Sequence, residues 1–265
     1  MYTTEKEGRI QTGIPNADEI LSGGLLPESA TLVRGAPGAG KTIFGLHFLT
    51  AESDSDSVNL YINLGEPTAY LERTADSFDL DSESIEFLDL SPSGTQFQTD
   101  NTYDLFHSGE VENPSLVDAI REKVETLDPD RVMIDPVTEI RHLTPDERQF
   151  RTQILGLIDF LKAENATVLL TSQAAPSIPD DDLQFLVDSV INLRIERGQR
   201  TLHISKLRGS SAKQGPHAVT IDDAGMSVWP QLDPTDHSRA GTMETLSSGV
   251  PELDALLAGG ITTGT

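Results

Sequence analysis

The sequence predicts an α/β fold: a mostly parallel central sheet with helices on both faces, extended by antiparallel strands on its C-terminal side. Three observations carry this. Strand-like runs alternate with helical ones from residue 31 to residue 171, the order that builds parallel sheets. Residues 35–42 read Gly-Ala-Pro-Gly-Ala-Gly-Lys-Thr, which fits G-x-x-x-x-G-K-[ST]. From Val187 onward the helical spacing stops, and strands follow one another across turns at Gly198 and Gly225.

In chain order, Thr31 to Arg34 is a short, partly β-branched strand, and Ile43 to Leu49 has helical apolar spacing. The glycine-rich loop therefore lies between strand and helix, the context it needs. Further strands are expected at 58–64, 85–88, 131–135 and 167–171, with helices at 68–78, 115–127 (behind Pro114) and 146–164. Residues 91–113 are polar and irregular and read as a surface excursion. The later strands fall at 187–195, 201–207, 217–222 and 226–229. Two stretches, 11–26 and 247–262, share Gly13 with Gly249, Pro15 with Pro251, Asp18 with Asp254 and Gly23-Gly24 with Gly259-Gly260, all at one offset. This is an internal repeat at domain spacing. The expected organisation is one domain over 1–230, a linker over 231–245, and the start of a second, similar domain over 246–265. The second copy stops just before its own phosphate loop would begin, so the natural protein is expected to continue.

The chain has 265 residues, 37% of them hydrophobic, enough for a large core. No apolar run approaches the roughly 20 residues of a membrane span, and residues 1–7 do not read as a leader. There is no cysteine, so disulfide and thiolate chemistry are excluded, and a cytoplasmic protein is expected. Net charge is −24, from 43 acidic and 19 basic residues. Such a balance suits a cytoplasm of molar salt, where the Debye length falls to about 3 Å, and reads as a halophilic archaeal source or else as an ordinary acidic protein. It argues against a broad electrostatic grip on nucleic acid, which draws on lysines and arginines.

Ligands of open α/β sheets sit at the carboxyl ends of the strands. There the glycines of 35–40 turn backbone N–H groups around a polyphosphate. Lys41 would reach the terminal phosphates, and the Thr42 hydroxyl would bind Mg²⁺. Asp135 ends a strand and fits the acid that holds Mg²⁺, or else caps a helix, a role that Pro136 makes less natural. Glu66 could orient or deprotonate an attacking water; it could equally be an acid favoured by a helix N-terminus. Thr171-Ser172-Gln173 offers a sensor for the γ-phosphate or a plain strand-end turn. Lys206 and Arg208 share one face of a late strand by period two. They read either as cationic fingers for a neighbouring subunit's nucleotide or as a salt-bridged surface strand. The histidines (47, 107, 142, 203, 217, 237) lack metal-ligand spacing, and Asp180-Asp181-Asp182 reads as a solvated acidic loop.

Taken together, the phosphate loop, Asp135, Lys206-Leu207-Arg208-Gly209 and the duplicated Gly-Ile-Pro…Asp…Gly-Gly opening resemble the KaiC family, the clock-protein and archaeal signalling branch of the RecA superfamily. The resemblance covers 11–230 and the start of a second domain. It implies a RecA-like P-loop ATPase fold, hexameric rings, ATP with Mg²⁺ between subunits, and a signalling protein as partner. It implies nucleotide contacts from Pro37, Gly38, Ala39, Gly40, Lys41, Thr42 and Ile43. Lys206, Leu207, Arg208, Ser210 and Asp223 would line the neighbour's nucleotide, with Ser77 also near it. Two departures stand out. The family usually has two adjacent glutamates where this chain has Gly65-Glu66. The positions aligned with the phosphorylated Ser and Thr of autokinase domains are Gln184 and Phe185. This domain therefore resembles the ATPase half, not the autokinase half. A nucleotide-sensing scaffold with little turnover is the alternative that Gly65 keeps open. A RecA-type recombinase would need a basic, aromatic DNA loop, which the sequence lacks.

Overall fold

The computed structural model describes residues 8–51, 57–91, 116–173, 180–231, 245–257, 259, 261 and 262. The chain divides into two units, Met1–Gln231 and Leu232–Thr265. In the first, nine strands form one sheet: β1 (Ala30–Gly35), β2 (Asn59–Asn63), β3 (Ile85–Asp89), β4 (Arg131–Asp135), β5 (Thr167–Gln173), β6 (Ser189–Glu196), β7 (Gln199–Leu207), β8 (His217–Asp222) and β9 (Gly225–Trp229). Their order is β3-β2-β4-β5-β1-β6-β7-β8-β9. Pairings from β3 to β6 are parallel and those from β6 to β9 antiparallel. The expected fold class is the one observed.

Side-chain alternation sorts the core into two layers. Tyr61, Met133, Leu169 and Ile191 point to one face of the sheet; there they meet Phe44, Leu46, Phe48 and Leu49 of α2 (Lys41–Thr50) and Leu71 of α3 (Thr68–Ser77). Leu60, Ile62, Val132, Ile134, Val168, Leu170 and Val190 point to the other. They pack on Ile120 and Val124 of α4 (Leu116–Leu127) and on Phe150, Ile154, Leu157, Ile158 and Leu161 of α6 (Glu147–Ala163). Both faces are covered, which is why the parallel strands read as continuous apolar runs. Each fully buried large side chain contributes roughly 1.5–3 kcal/mol. Asp146 caps α6 by accepting the Gln149 N–H at 2.8 Å.

Two short helices escaped the sequence reading, α1 (Ala17–Ile20) and α5 (Glu139–His142). Four residues are too few to show a 3.6-residue period. β5 runs to Gln173, so Ser172 and Gln173 belong to the strand and not to a turn after it. Asp180 corrects the reading of 180–182 as solvated: it is 1% exposed and takes the Arg34 guanidinium (Nε to Oδ2, 3.0 Å) and the Ser172 hydroxyl. Most of the 91–113 excursion and of the 231–245 linker, with His107 and His237, lies outside the described residues.

The duplication is also a duplication of hydrogen bonds. Thr12 donates its N–H and hydroxyl to Asp18 Oδ1, at 3.0 and 2.9 Å, and Ser248 does the same to Asp254 Oδ1, at 2.7 and 2.6 Å. Gly23 N–H donates to the Asp18 carbonyl at 2.7 Å, and Gly259 N–H to the Asp254 carbonyl at 2.8 Å. In the first copy Ile10 bridges Leu25; in the second, β10 (Thr245–Leu246) pairs with β11 (Ile261–Thr262) around α7 (Pro251–Leu256).

Candidate functional site

A cavity of about 460 Å³ opens at the carboxyl ends of β1, β2, β4 and β5. The phosphate loop forms one wall. Gly38 (φ +77°) and Gly40 (φ +104°) hold backbone conformations that a side chain disfavours. At Gly40 a Cβ would also stand 2.7 Å from Met226 Cε and 2.9 Å from Ile221 Cδ1, so the β8–β9 hairpin buttresses the loop from behind. Lys41 and Thr42 open α2. Gly45, one turn on, lets that helix press directly onto Met133 of β4; a Cβ there would fall 2.0 Å from the Met133 sulfur. The close approach brings Thr42 to Asp135, the last residue of β4.

The Thr42 hydroxyl donates to Asp135 Oδ2 at 2.8 Å. The same oxygen accepts from the Tyr61 hydroxyl at 2.6 Å, and Oδ1 accepts from Thr171. Asp135 is buried and held by three hydroxyls. Burial, then the neighbouring Asp135 charge, pushes the Tyr61 phenol well above its ordinary value, so it stays a donor. A hydroxyl and a carboxylate side by side are hard oxygen donors, and this pair suits Mg²⁺. Lys41 donates its ammonium to the carbonyls of Gly35 (2.9 Å) and Ala36 (3.2 Å). Burial lowers its pKa, against the opposing pull of Asp135, Asp180 and Glu66.

Glu66 stands on the opposite rim. Asn63 shapes its turn: the side-chain carbonyl accepts the N–H groups of Gly65 (3.1 Å) and Glu66 (3.2 Å), and its amide donates to the Glu66 carbonyl. Partial burial, then Asp135, raises the Glu66 carboxyl above its ordinary value, and Lys41 pulls it back. Gly65 faces Pro136, whose Cδ would lie 3.0 Å from a Cβ placed there, so a second glutamate would need the proline to give way. Tyr70 and Thr74 of α3, Glu139 of α5 and Gln173 of β5 complete the lining. Ser77 lies one turn beyond Thr74 on the same helix face, outside that lining. Ala39 is buried beneath the loop, and Pro37 and Ile43 line the cavity.

The late-strand residues do not form one group. Lys206 is level with Leu32 through Val190, and Arg208 follows Leu207, which is level with Thr31 through Ser189. By register and strand spacing their backbones lie roughly 14 and 19 Å from Gly35, towards the amino ends of the parallel strands. Lys206 donates to the carbonyls of Gln184 (2.9 Å) and Val187 (2.5 Å), and Arg208 to Asp188 (3.3 Å). Ser210 follows in the same turn. Asp223, between β8 and β9, sits at the opposite end, beside the hairpin that backs Gly40.

The family model described as "ATPase: KaiC" matches residues 10–233. The chain belongs to the KaiC ATPase family. It is 29% identical over 267 residues to the circadian clock oscillator protein KaiC of Prochlorococcus marinus (strain MIT 9313), covering 95% of this chain and 52% of that protein. It is likewise 29% identical to KaiC of Synechococcus elongatus, covering 95% and 50%. The chain thus spans about half the length of the curated relatives it matches. It carries a KaiC-type ATPase domain on a RecA-like fold.

Tyr61, Asn63 and Arg200 are not among the site residues read from the sequence, and Thr171 reads there as a γ-phosphate sensor or part of a turn, not as a partner of Asp135. Arg200 reaches the outside of the phosphate loop, donating to the Gly38 carbonyl at 3.3 Å. Tyr61 and Thr171 lie within apolar strands, where a hydroxyl aimed at Asp135 has no local signature. Among the described residues no group of three metal-ligating His, Asp or Glu side chains forms. No described helix is long and apolar enough to cross a membrane.

Proposed function

We propose that this chain is a Mg²⁺-dependent, ATP-hydrolysing regulatory domain that works as a ring, probing its nucleotide from two subunits. The observation that carries the reading is the shared cavity: Lys41, the Thr42–Asp135 pair and Glu66 converge on it from three different strand ends. In this reading residues 35–43 cradle the phosphates, and Thr42 and Asp135 hold Mg²⁺, which when bound would neutralise charge on the phosphoryl oxygens. Glu66 accepts the proton of the attacking water, and the single carboxylate suffices for slow turnover. Asp223, and Ser77 one turn beyond Thr74 and outside the lining, serve the chain's own nucleotide. Lys206, Leu207, Arg208 and Ser210, too far from their own phosphate loop, serve the neighbour's. Ring formation (a hexamer, by family likeness), a cytoplasmic halophilic setting, a signalling partner, absence of autokinase activity and a second domain beginning at 246 all belong to this proposal.

The restricted space at Gly65 favours one second reading, a nucleotide-sensing scaffold with negligible turnover. Phosphate release in molar salt, with mass measured alongside, separates the two. Turnover lost in Lys41→Ala supports the ATPase; ATP binding without phosphate release supports the scaffold. The trans arrangement has its own test. Alone, Glu66→Gln should cost about 10²-fold or more, and Arg208→Ala on the order of 10³-fold or more. Mixed in one ring, they should partly restore activity, because some interfaces pair two intact halves. No recovery means Arg208 acts within its own subunit or not at all.

A further inference from the structure

The only direct anchors of Lys206 and Arg208 among the described side-chain hydrogen bonds fall within residues 184–188: the carbonyls of Gln184 and Val187 and the carboxylate of Asp188. The Arg208 N–H also donates to the Asp188 carbonyl at 3.1 Å. That stretch is the end of a short strap, 180–188, which crosses the sheet face from the carboxyl ends of the strands to their amino ends. Leu183 and Val187 pin it to the core. At the strap's start Asp180 takes the forked Arg34 guanidinium and the Ser172 hydroxyl. Arg34 immediately precedes the phosphate loop, and Ser172 adjoins Gln173 in the cavity wall. Asp181 shares the same guanidinium at 2.9 Å and accepts the Gln184 side-chain amide at 3.0 Å. A continuous series of contacts therefore joins the phosphate-loop end of a subunit to the cations at its other end. Asp180 is 1% exposed, and its burial, which alone would raise the carboxyl, is outweighed by Arg34 and Ser172. A charge placed so is a fixed anchor and not a solvated surface acid.

We propose that Asp180 is a positioning residue for the neighbour's reaction: through the 180–188 strap it fixes Lys206 and Arg208, so its loss harms the active site of the next subunit and spares its own. The proposal rests on the trans reading above.

Asp180→Asn should leave ATP affinity within about 3-fold, and lower kcat roughly 10- to 100-fold at unchanged KM, the effect of misplacing a group by about an ångström. Gln184→Ala, which removes a strap link without uncovering a buried charge, should lower kcat in the same direction and guards against misfolding of the first variant. The deciding measurement is complementation in mixed rings of the full chain, in salt and Mg-ATP where mass shows assembly. Each strap variant should regain activity when mixed with Glu66→Gln and should not when mixed with Arg208→Ala. Recovery with Arg208→Ala but not with Glu66→Gln would place the defect in the subunit's own site and overturn the proposal, as would unchanged kcat in both homomers. If Arg208→Ala and Glu66→Gln fail to complement each other, the trans reading itself has failed and the strap proposal falls with it.

Discussion

Removing the Lys41 ammonium takes away the one cation among the described residues that line the cavity. Arg200 touches the loop from outside, at Gly38, and lines no part of it. Lys41→Ala should therefore abolish ATP binding in calorimetry, and unchanged affinity would contradict the site. Glu66 gives a prediction in pH. Its carboxyl is raised above an ordinary value of 4.5, so the protonated form persists to higher pH than in a free glutamate. A base must be deprotonated, so kcat/KM should fall on acidification and begin to fall above pH 4.5. Glu66→Gln should remove that limb together with about 10²-fold or more of the rate. At this scale the sequence was most informative where chemistry and motif coincide: Lys41, Thr42 and Asp135 converge as the spacing implied. It was silent on Tyr61 and misleading on Asp180, whose two acidic neighbours suggested solvent while Arg34, 146 positions away, claimed its charge.

Between elements, His47 carries a load that its sequence context hid. Its Nε2 accepts the Met226 N–H at 2.8 Å, tying α2 to β9, and Gly225 has no room for a Cβ, which would fall 2.3 Å from the same nitrogen. Burial holds the ring's pKa below 6.5, with a backbone hydrogen bond to Gly13 partly offsetting it. The folded state thus prefers neutral His47. Its contribution is complete above pH 6.5 and declines as pH falls from there towards the lower folded value. Urea midpoints should drop between pH 7.5 and pH 5.5, and His47→Gln, which cannot titrate, should flatten that drop. An equal slope in the variant would exclude His47 as its source. Periodicity found the long elements because each buries a face on one side of the sheet. It missed α1 and α5, which are held by tertiary contacts of Ile20 and Ile140 and not by any repeat of their own. The family resemblance groups Asp223 with Lys206 and Arg208; the antiparallel register of β7, β8 and β9 places them at opposite ends of the sheet within one subunit.

For the whole molecule the governing quantity is the net charge of −24. Among the described ion pairs, Arg34–Asp180 is the one whose acid is nearly fully buried. The remaining acids repel one another through solvent. Adding salt from 0.1 to 1 M shortens the Debye length from about 10 to about 3 Å, so this repulsion should be removed within that range. The melting temperature is expected to climb steeply up to about 1 M NaCl and then level off. Sodium sulfate at equal ionic strength separates screening from surface exclusion, because sulfate also strengthens apolar burial. Matching curves would assign the effect to charge. A rise that continues well beyond 1 M, steeper in sulfate, would assign it to the two apolar layers of the sheet. The same charge bears on nucleic acid: duplex affinity falls with salt in proportion to the phosphates neutralised, and this chain has 19 basic residues to offer against 43 acids. No DNA complex should form at 0.15 M salt or above. A gel shift that survives 0.5 M salt would show a concentrated basic surface, against the charge balance, and would restore recombination as a reading of the fold.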